Sequence, residues 1–362
     1  MSKYYKRLDR YIIKKFLGTF VFSILIIISI AIVFDFAERL DDFLERQAPL
    51  SKILFNYYLN FIPYFVNLFT PLFVFISVIY FTSKLAQQSE IVAMLSNGIS
   101  FRRITYPYMV AAIVIAILSF VLSNFIIPNS TKKKLEFEYQ YVRNPYHNDE
   151  INIHRQIQPG IFVYLENFSV DNNIAYRFSM EKFENKTLKS KLLADYAQWD
   201  STAHKWKMVN CRIRTYSNNS KEMKYYNSID TAINLSPEDF KRRIEFVETM
   251  DYFRLNEYIR QKRMEGDANL VTYEIQRYQR FINPLCVLVL TIIALSVSSR
   301  KIRGGIGMHL GLGLGLSFTY ILFQQISTNM AIGGSLPAIL GVSLPTLIFA
   351  VIAIVLYRFV PK

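Results

Sequence analysis

The sequence predicts a membrane α-helical bundle of six transmembrane helices with an inserted, outward-facing all-β domain of jelly-roll-like type. Three observations predict it. Uncharged apolar runs at 16–34, 53–83, 104–127 and 281–299, with a still longer one at 304–357, reach the ~20 residues that cross a bilayer core. Between the third and fourth runs, residues 129–275 carry many charges and no such run, and they read as short alternating stretches separated by turns. Lys and Arg gather at one set of run ends, which sets the inner side.

Composition supports a membrane part beside a polar one. The chain has 362 residues, 52% of them hydrophobic, and a slightly positive mean hydropathy. A net charge of +14 would suggest nucleic acid in a soluble protein. Here the bases sit beside apolar runs, as topology signals and contacts to anionic lipid, so nucleic-acid binding is excluded. Cys211 lies in the polar middle and Cys286 in an apolar run, so no disulfide is expected.

Taken in order, residues 1–15 form a basic amphipathic lead-in with Lys3, Lys6, Arg7, Arg10, Lys14 and Lys15. The first run passes straight into Asp35 without a small-x-small site, so it reads as a span and not as a cleaved signal. An acidic outer loop is expected over 35–52. Span two contains Pro63 and Pro71, tolerated where neighbours satisfy the freed carbonyls. Span three is expected to stop at Pro128.

Strands are expected at 161–165, 174–180, 192–199, 205–209 and 211–216, with turns at 158–160, 171–173, 200–202 and 217–219. This suggests an antiparallel sandwich or jelly roll. From Ser236 the pattern becomes helical and leads into span four, which Arg300, Lys301 and Arg303 follow on the inner side. The stretch 304–357 is two crossings broken near 329–337, and Arg358 and Lys362 place the end inside. The domain boundaries read as 1–128, 129–275 and 276–362.

The segment 84–103, KLAQQSEIVAMLSNGISFRR, lies between spans two and three on the inner side. Ile91, Met94 and Leu95 fall at i, i+3, i+4, and Asn97-Gly98 suits a left-handed helix end. It is either a helix along the membrane that a cytoplasmic partner grips or a plain loop.

Few residues suggest chemistry. No phosphate-binding G-x-x-x-x-G-K-[ST] loop is present. Gly311, Gly313 and Gly315 lie in a predicted membrane helix and indicate close packing. His147, His154, His204 and His309 lack metal-ligand spacing, so surface or loop positions are expected. No catalytic, cofactor-binding or metal-binding set can be assembled. Glu136 and Glu138 read as a solvated face, and Asn-x-Ser/Thr triplets at Asn167, Asn185 and Asn218 as chance matches. Asp35, Glu38 and Arg39 at the end of span one, with Lys132, Lys133 and Lys134 beyond span three, are either headgroup anchors or a charged rim for an acidic lipid.

Several stretches together resemble the LptF/LptG family of lipopolysaccharide-transport permeases of Gram-negative bacteria. They include Leu8-Asp9-Arg10-Tyr11-Ile12, Pro71-Leu72, Ser89-Glu90-Ile91-Val92-Ala93-Met94 with Gly98-Ile99-Ser100, and Pro128. Ala197-Gln198-Trp199 with Trp206, Tyr273, Pro284-Leu285, Gly307, Phe318, Tyr320, Gln325, Pro337 and Leu344-Pro345 extend the likeness over the whole chain. The start and the last two spans resemble the LptG half more.

The resemblance implies a multi-pass protein of the bacterial inner membrane, with both termini cytoplasmic and the β domain periplasmic. It implies one permease half of an ABC-type exporter. The implied partners are a second permease half, a cytoplasmic ATPase dimer that holds the ATP, periplasmic jelly-roll bridge proteins, and lipopolysaccharide as cargo. Ser89, Glu90, Ile91, Met94 and Gly98 would form the ATPase contact. Asp35, Arg39, Lys132, Lys133 and Lys134 would form the substrate rim, and Phe34, Phe318 and Gln325 the lateral gate. Asp35 departs from the basic residue that LptG-type members can place there, and would repel lipid phosphates unless Arg39 or the partner neutralises it. Two alternatives are another lipid or lipoprotein exporter permease and a membrane-anchored envelope enzyme. The first resembles a four-span plan with its large domain after span one, and the second lacks a catalytic set.

Overall fold

The computed structural model describes residues 3–142, 150–217, 220–233, 235–241, 244–300 and 305–360. Of the positions considered above, His147, Asn218, Asn219, Lys301, Arg303 and Lys362 lie outside them. The chain divides into two compact units, one of residues 1–143, 248–252 and 271–362, the other of 144–247 and 253–270.

The first unit holds six helices long and apolar enough to cross a membrane. Helix α1, Lys3–Glu45, is one continuous element of 43 residues. The loop expected from Asp35 is therefore helix. No Gly or Pro lies between Asp35 and Pro49, and Asp35 and Arg39 pair at i, i+4, which supports the helix. Helix α2, Leu50–Gln87, has a π-helical stretch over Ile53–Tyr58. Helix α3, Glu90–Ser96, is the short element of the inner segment. Helix α4, Phe101–Tyr141, runs through Pro128, where the span was expected to stop. Leu122–Ile126 is π-helical just before that proline. The ladder is already widened where the missing N–H and the ring would break it.

After the second unit come α5, Leu270–Ser298, α6, Gly305–Ile332, and α7, Ala338–Arg358. Aliphatic and aromatic side chains of α1, α2, α4, α5, α6 and α7 form one buried core. Inside it the Thr82 hydroxyl donates to Tyr108 Oη at 2.9 Å, and Tyr320 and Thr346 share a hydrogen bond at 3.0 Å. Ser119 Oγ donates to Asn67 Oδ1 at 2.6 Å, and Asn67 Nδ2 donates to Ser123 Oγ at 3.0 Å, tying α2 to α4. Polar groups in an apolar bundle are satisfied this way because no water competes.

The glycines of α6 divide by role. A Cβ at Gly313 would collide with Ile79 and press Phe75, so this glycine permits the close approach to α2. At Gly307, Gly311 and Gly315 a Cβ would meet nothing. His309, expected on a surface or loop, is buried within α6, with Nε2 at 3.0 Å from the Arg300 carbonyl oxygen.

The second unit is built on a seven-stranded antiparallel sheet. Its strands are β1 Ile153–Gln158, β2 Ile161–Leu165, β3 Asn167–Ser169, β4 Ile174–Glu184, β5 Thr187–Asp200, β6 Lys205–Ser217 and β7 Ser220–Thr231. The order is β1-β2-β4-β5-β6-β7, with β3 also against β4. The inserted all-β domain is present, and its described strands form one sheet in meander order where a sandwich or jelly roll interleaves two. Short turns after Glu184 and Asp200 make β4, β5 and β6 pair with their chain neighbours, and β7 pairs antiparallel with β6.

The two strands expected at 205–209 and 211–216 are one, with Asn210 at φ 54° where the break was expected. One face of the sheet carries Val163, Leu165, Phe178, Trp206 and Met208 in a core that Phe168 and Phe240 complete. Trp206 pairs across strands with Trp199, ring centres 5.4 Å apart, and its indole donates to the Leu235 carbonyl at 2.8 Å. A helix over Tyr252–Glu265 follows. Its Lys262 is buried against Asp239 at 3.6 Å and Glu265 at 2.6 Å. Burial opposes the ammonium, and the two carboxylates outweigh it, so the Lys262 pKa stands above its ordinary value.

Candidate functional site

The inner segment is a helix, as one of the two readings required. Ser89 enters it at φ 60°. It ends in a Schellman cap, with Gly98 N–H donating to the Leu95 carbonyl at 3.0 Å and Ile99 N–H to Met94 at 3.1 Å. Gly98 takes φ 77°, which a Cβ would strain. Ser100 Oγ then accepts from Arg103 N–H at 3.3 Å and starts α4.

The apolar stripe faces inward. Ile91 is only 2% exposed and belongs to the bundle core, with Met94, Leu95 and Ile99 packed against it. Ile91 is therefore not part of an external contact surface, contrary to its expected role. A seven-residue helix cannot hold itself, and it spends its one apolar face on being seated. Ser89, Val92, Ala93, Ser96, Asn97 and Gly98 are exposed and Glu90 half-buried.

Arg103 anchors the segment from the far side. Its two terminal nitrogens each donate to one carboxylate oxygen of Asp9 on α1, both at 2.7 Å. Asp9 stood in the motif at the chain's start, but nothing in one dimension linked it to a residue 94 positions away. Only its isolation as the one acid among the lead-in's bases hinted at a specific partner.

At the other end of the spans the charges form a network. Asp35 Oδ1 accepts from Arg39 Nε at 3.0 Å and from the Tyr57 hydroxyl at 3.1 Å, and Oδ2 accepts from the Tyr58 hydroxyl at 3.2 Å. Arg39 lies 3.9 Å from Glu138 Oε1, and Lys134 Nζ 3.5 Å from the same oxygen. Lys134 and Arg39 also lie over the rings of Tyr64 and Tyr57. The Glu138 side chain is 1% exposed, which corrects its reading as a solvated face. Phe137 and Tyr141 on α4 enter the aromatic cluster of Phe43, Tyr57, Tyr58 and Phe61, and carry Glu138 inward with them.

The five expected rim residues therefore separate. Asp35 and Arg39 neutralise each other, Lys134 is paired with Glu138, and Lys132 and Lys133 are exposed without a carboxylate partner among the described residues. The expected gate residues lie on surfaces that the chain itself leaves uncovered. Phe34 on α1 is 72% and Phe318 on α6 55% exposed, and Gln325 is exposed with its amide 3.4 Å from Asn329 Oδ1.

Comparison with known proteins agrees with this architecture. The chain is 22% identical over 359 aligned positions to the lipopolysaccharide export system permease protein LptG of Escherichia coli K12, covering 96% of each chain. The protein of the same name from E. coli O6:H1 strain CFT073 matches to the same extent. The family described as lipopolysaccharide export system permease LptF/LptG matches residues 10–358, so all six spans and the β insertion fall within it. This chain is a multi-pass membrane protein that belongs to the LptF/LptG family of lipopolysaccharide export permeases.

Proposed function

We propose that this chain is an LptG-like permease half that moves lipopolysaccharide or lipooligosaccharide out of the inner membrane, paired with a second permease half and driven by a separate ATPase dimer. The carrying observation is the family match over residues 10–358, which includes the inner helix together with all six spans. On this reading the termini and α3 are cytoplasmic, and the β unit is periplasmic and hands the lipid to bridge proteins of similar sheet structure.

The ATPase contact falls on the outer face of α3: Ser89, Glu90, Val92, Ala93 and Gly98, with Met94 at its edge. Ile91 seats the helix, so force applied at Glu90 passes through it into the bundle. The rim for lipid phosphates is carried by Lys132 and Lys133, since Arg39 is paired with Asp35 and Lys134 with Glu138. Phe34 of α1 and Phe318 and Gln325 of α6 meet the second permease half as the lateral gate.

Glu90→Lys tests the reading. Truncating or reversing one member of a desolvated charge pair costs about 2–5 kcal/mol, roughly 30-fold or more in binding. The variant should insert normally, lose the co-purifying ATPase and stop lipopolysaccharide transport. Normal co-purification and transport would remove α3 as the mechanical link.

A further inference from the structure

Helices α1 and α6 each pack against α2 and leave between them a groove of about 810 Å³ that no part of the export reading uses. All its lining residues belong to the first unit. Lys14 and Lys15 stand at one end, and the walls beyond them are mostly apolar, with Gly18, Phe22, Ile76 and Leu310. From Lys15 to Phe22 the helix rises about 10 Å, against about 15 Å for one leaflet of a bilayer's hydrocarbon core. The rings of Tyr11 and Phe81 meet at 6.1 Å, which holds α2 with Tyr80 near the lysine end and Ile76 deeper. The groove thus descends from headgroup level into one leaflet. Phe34, proposed for the lateral gate, lies about 28 Å further along α1.

Lys14 and Lys15 are exposed, and neither has a carboxylate partner among the described residues. The lining helices supply no counter-charge, because no Asp or Glu occurs over 10–34, 46–89 or 305–332. Asp9, the nearest acid along the chain, is held by both terminal nitrogens of Arg103. Glu90 lies on α3, which contributes nothing to the groove wall. Thr19 donates its hydroxyl to the Lys15 carbonyl at 2.8 Å, so its polar atom is already satisfied. Two cations at the mouth of an apolar groove, at headgroup depth, match a ligand with a phosphate head and an aliphatic tail.

Gly18 adds a separate observation. It is exposed within α1, and a Cβ there would meet nothing. Glycine weakens a helix relative to alanine, and no packing inside the chain accounts for it, unlike Gly313. It keeps the groove open to an occupant from outside the chain.

We propose that this groove binds one anionic glycerophospholipid from the leaflet at the lysine end. Lys14 and Lys15 hold its phosphate, and an acyl chain lies over Gly18 against Phe22, Ile76 and Leu310. The site does not depend on the export reading; the sidedness proposed above makes that leaflet the cytoplasmic one.

The test uses the full-length protein with the subunits that co-purify, equilibrated with vesicles of equal phosphatidylglycerol and phosphatidylethanolamine. Retained lipid is measured by native mass spectrometry. The wild type should retain phosphatidylglycerol over phosphatidylethanolamine by about tenfold, as one charge-assisted contact would give. Lys14→Gln/Lys15→Gln should bring the two lipids to parity. Gly18→Leu keeps both charges, so it should lower retained phosphatidylglycerol by about tenfold while the melting transition holds. Equal retention of the two lipids by the wild type would overturn the proposal. So would a Gly18→Leu protein that keeps its phosphatidylglycerol, because the lysines would then attract lipid without the groove. A photoreactive residue in place of Phe22 should give phospholipid adducts in native membranes. Protein adducts in their place would overturn the proposal and assign the groove to a second chain.

Discussion

Asp9 and Arg103 meet in a two-pronged ion pair, 2.7 Å at each contact, and so join the start of α1 to the start of α4 immediately after the inner helix. Planar matching of guanidinium and carboxylate makes this stronger and more directional than a lysine pair. It closes a frame in which α3 is held by Ile91 on one side and by the α1–α4 clamp on the other.

Arg103→Gln should therefore lower thermal stability by about 1.5–3 kcal/mol and impair transport, and Asp9→Asn should do much the same. The exchanged double variant Asp9→Arg/Arg103→Asp should recover most of the loss. Melting and transport assays on the single and exchanged variants check this, and losses that simply add would mean that the two side chains act independently.

Glu138 should behave as a buried charge and Glu136 as a surface one. Glu138→Gln leaves Arg39 and Lys134 facing each other, at a cost of about 3 kcal/mol, the lower end for a buried pair because both cations reach solvent. Glu136→Gln, on the exposed face, should change stability by less than about 0.5 kcal/mol. Thermal unfolding of the two variants separates them, and equal effects would count against the burial of Glu138.

Ile91 and Val92 are neighbours with opposite duties. Ile91→Ala should destabilise the membrane unit by about 2–5 kcal/mol, as deletion of a core side chain does. Val92→Asp places its charge on the exposed face, so stability should hold while the ATPase is released. Melting together with co-purification of the ATPase checks both, and an unaltered Ile91→Ala protein would mean that α3 is not seated on the core.

Topology follows from the charge pattern. A reporter near residue 97 should be cytoplasmic and one near residue 217 periplasmic. A cytoplasmic signal at 217 would reverse the sidedness assigned to the β unit.

Much of this protein is written locally. Spans are legible because a bilayer demands about 20 apolar residues and every backbone group must be satisfied within the helix. Gly98 declared the end of α3 because a Schellman cap needs a positive φ, and the alternation at Ile161–Leu165 declared a strand half-buried against a core. β7 was missed because, as an edge strand with largely exposed faces, it carries no alternation to read.

Tertiary structure alone decided where the charges go. Helix α1 continues past Asp35, and the π-turns let α2 and α4 present Tyr57, Tyr58 and Glu138 to one place. Asp35, Arg39, Lys134 and Glu138 thus neutralise one another, leaving Lys132 and Lys133 as the outward cations. It also decided that the stripe of α3 faces its own bundle. Helical periodicity defines a face but not what that face meets. Which charge is paired depends on distances between residues far apart in the chain, and only the packed fold sets those.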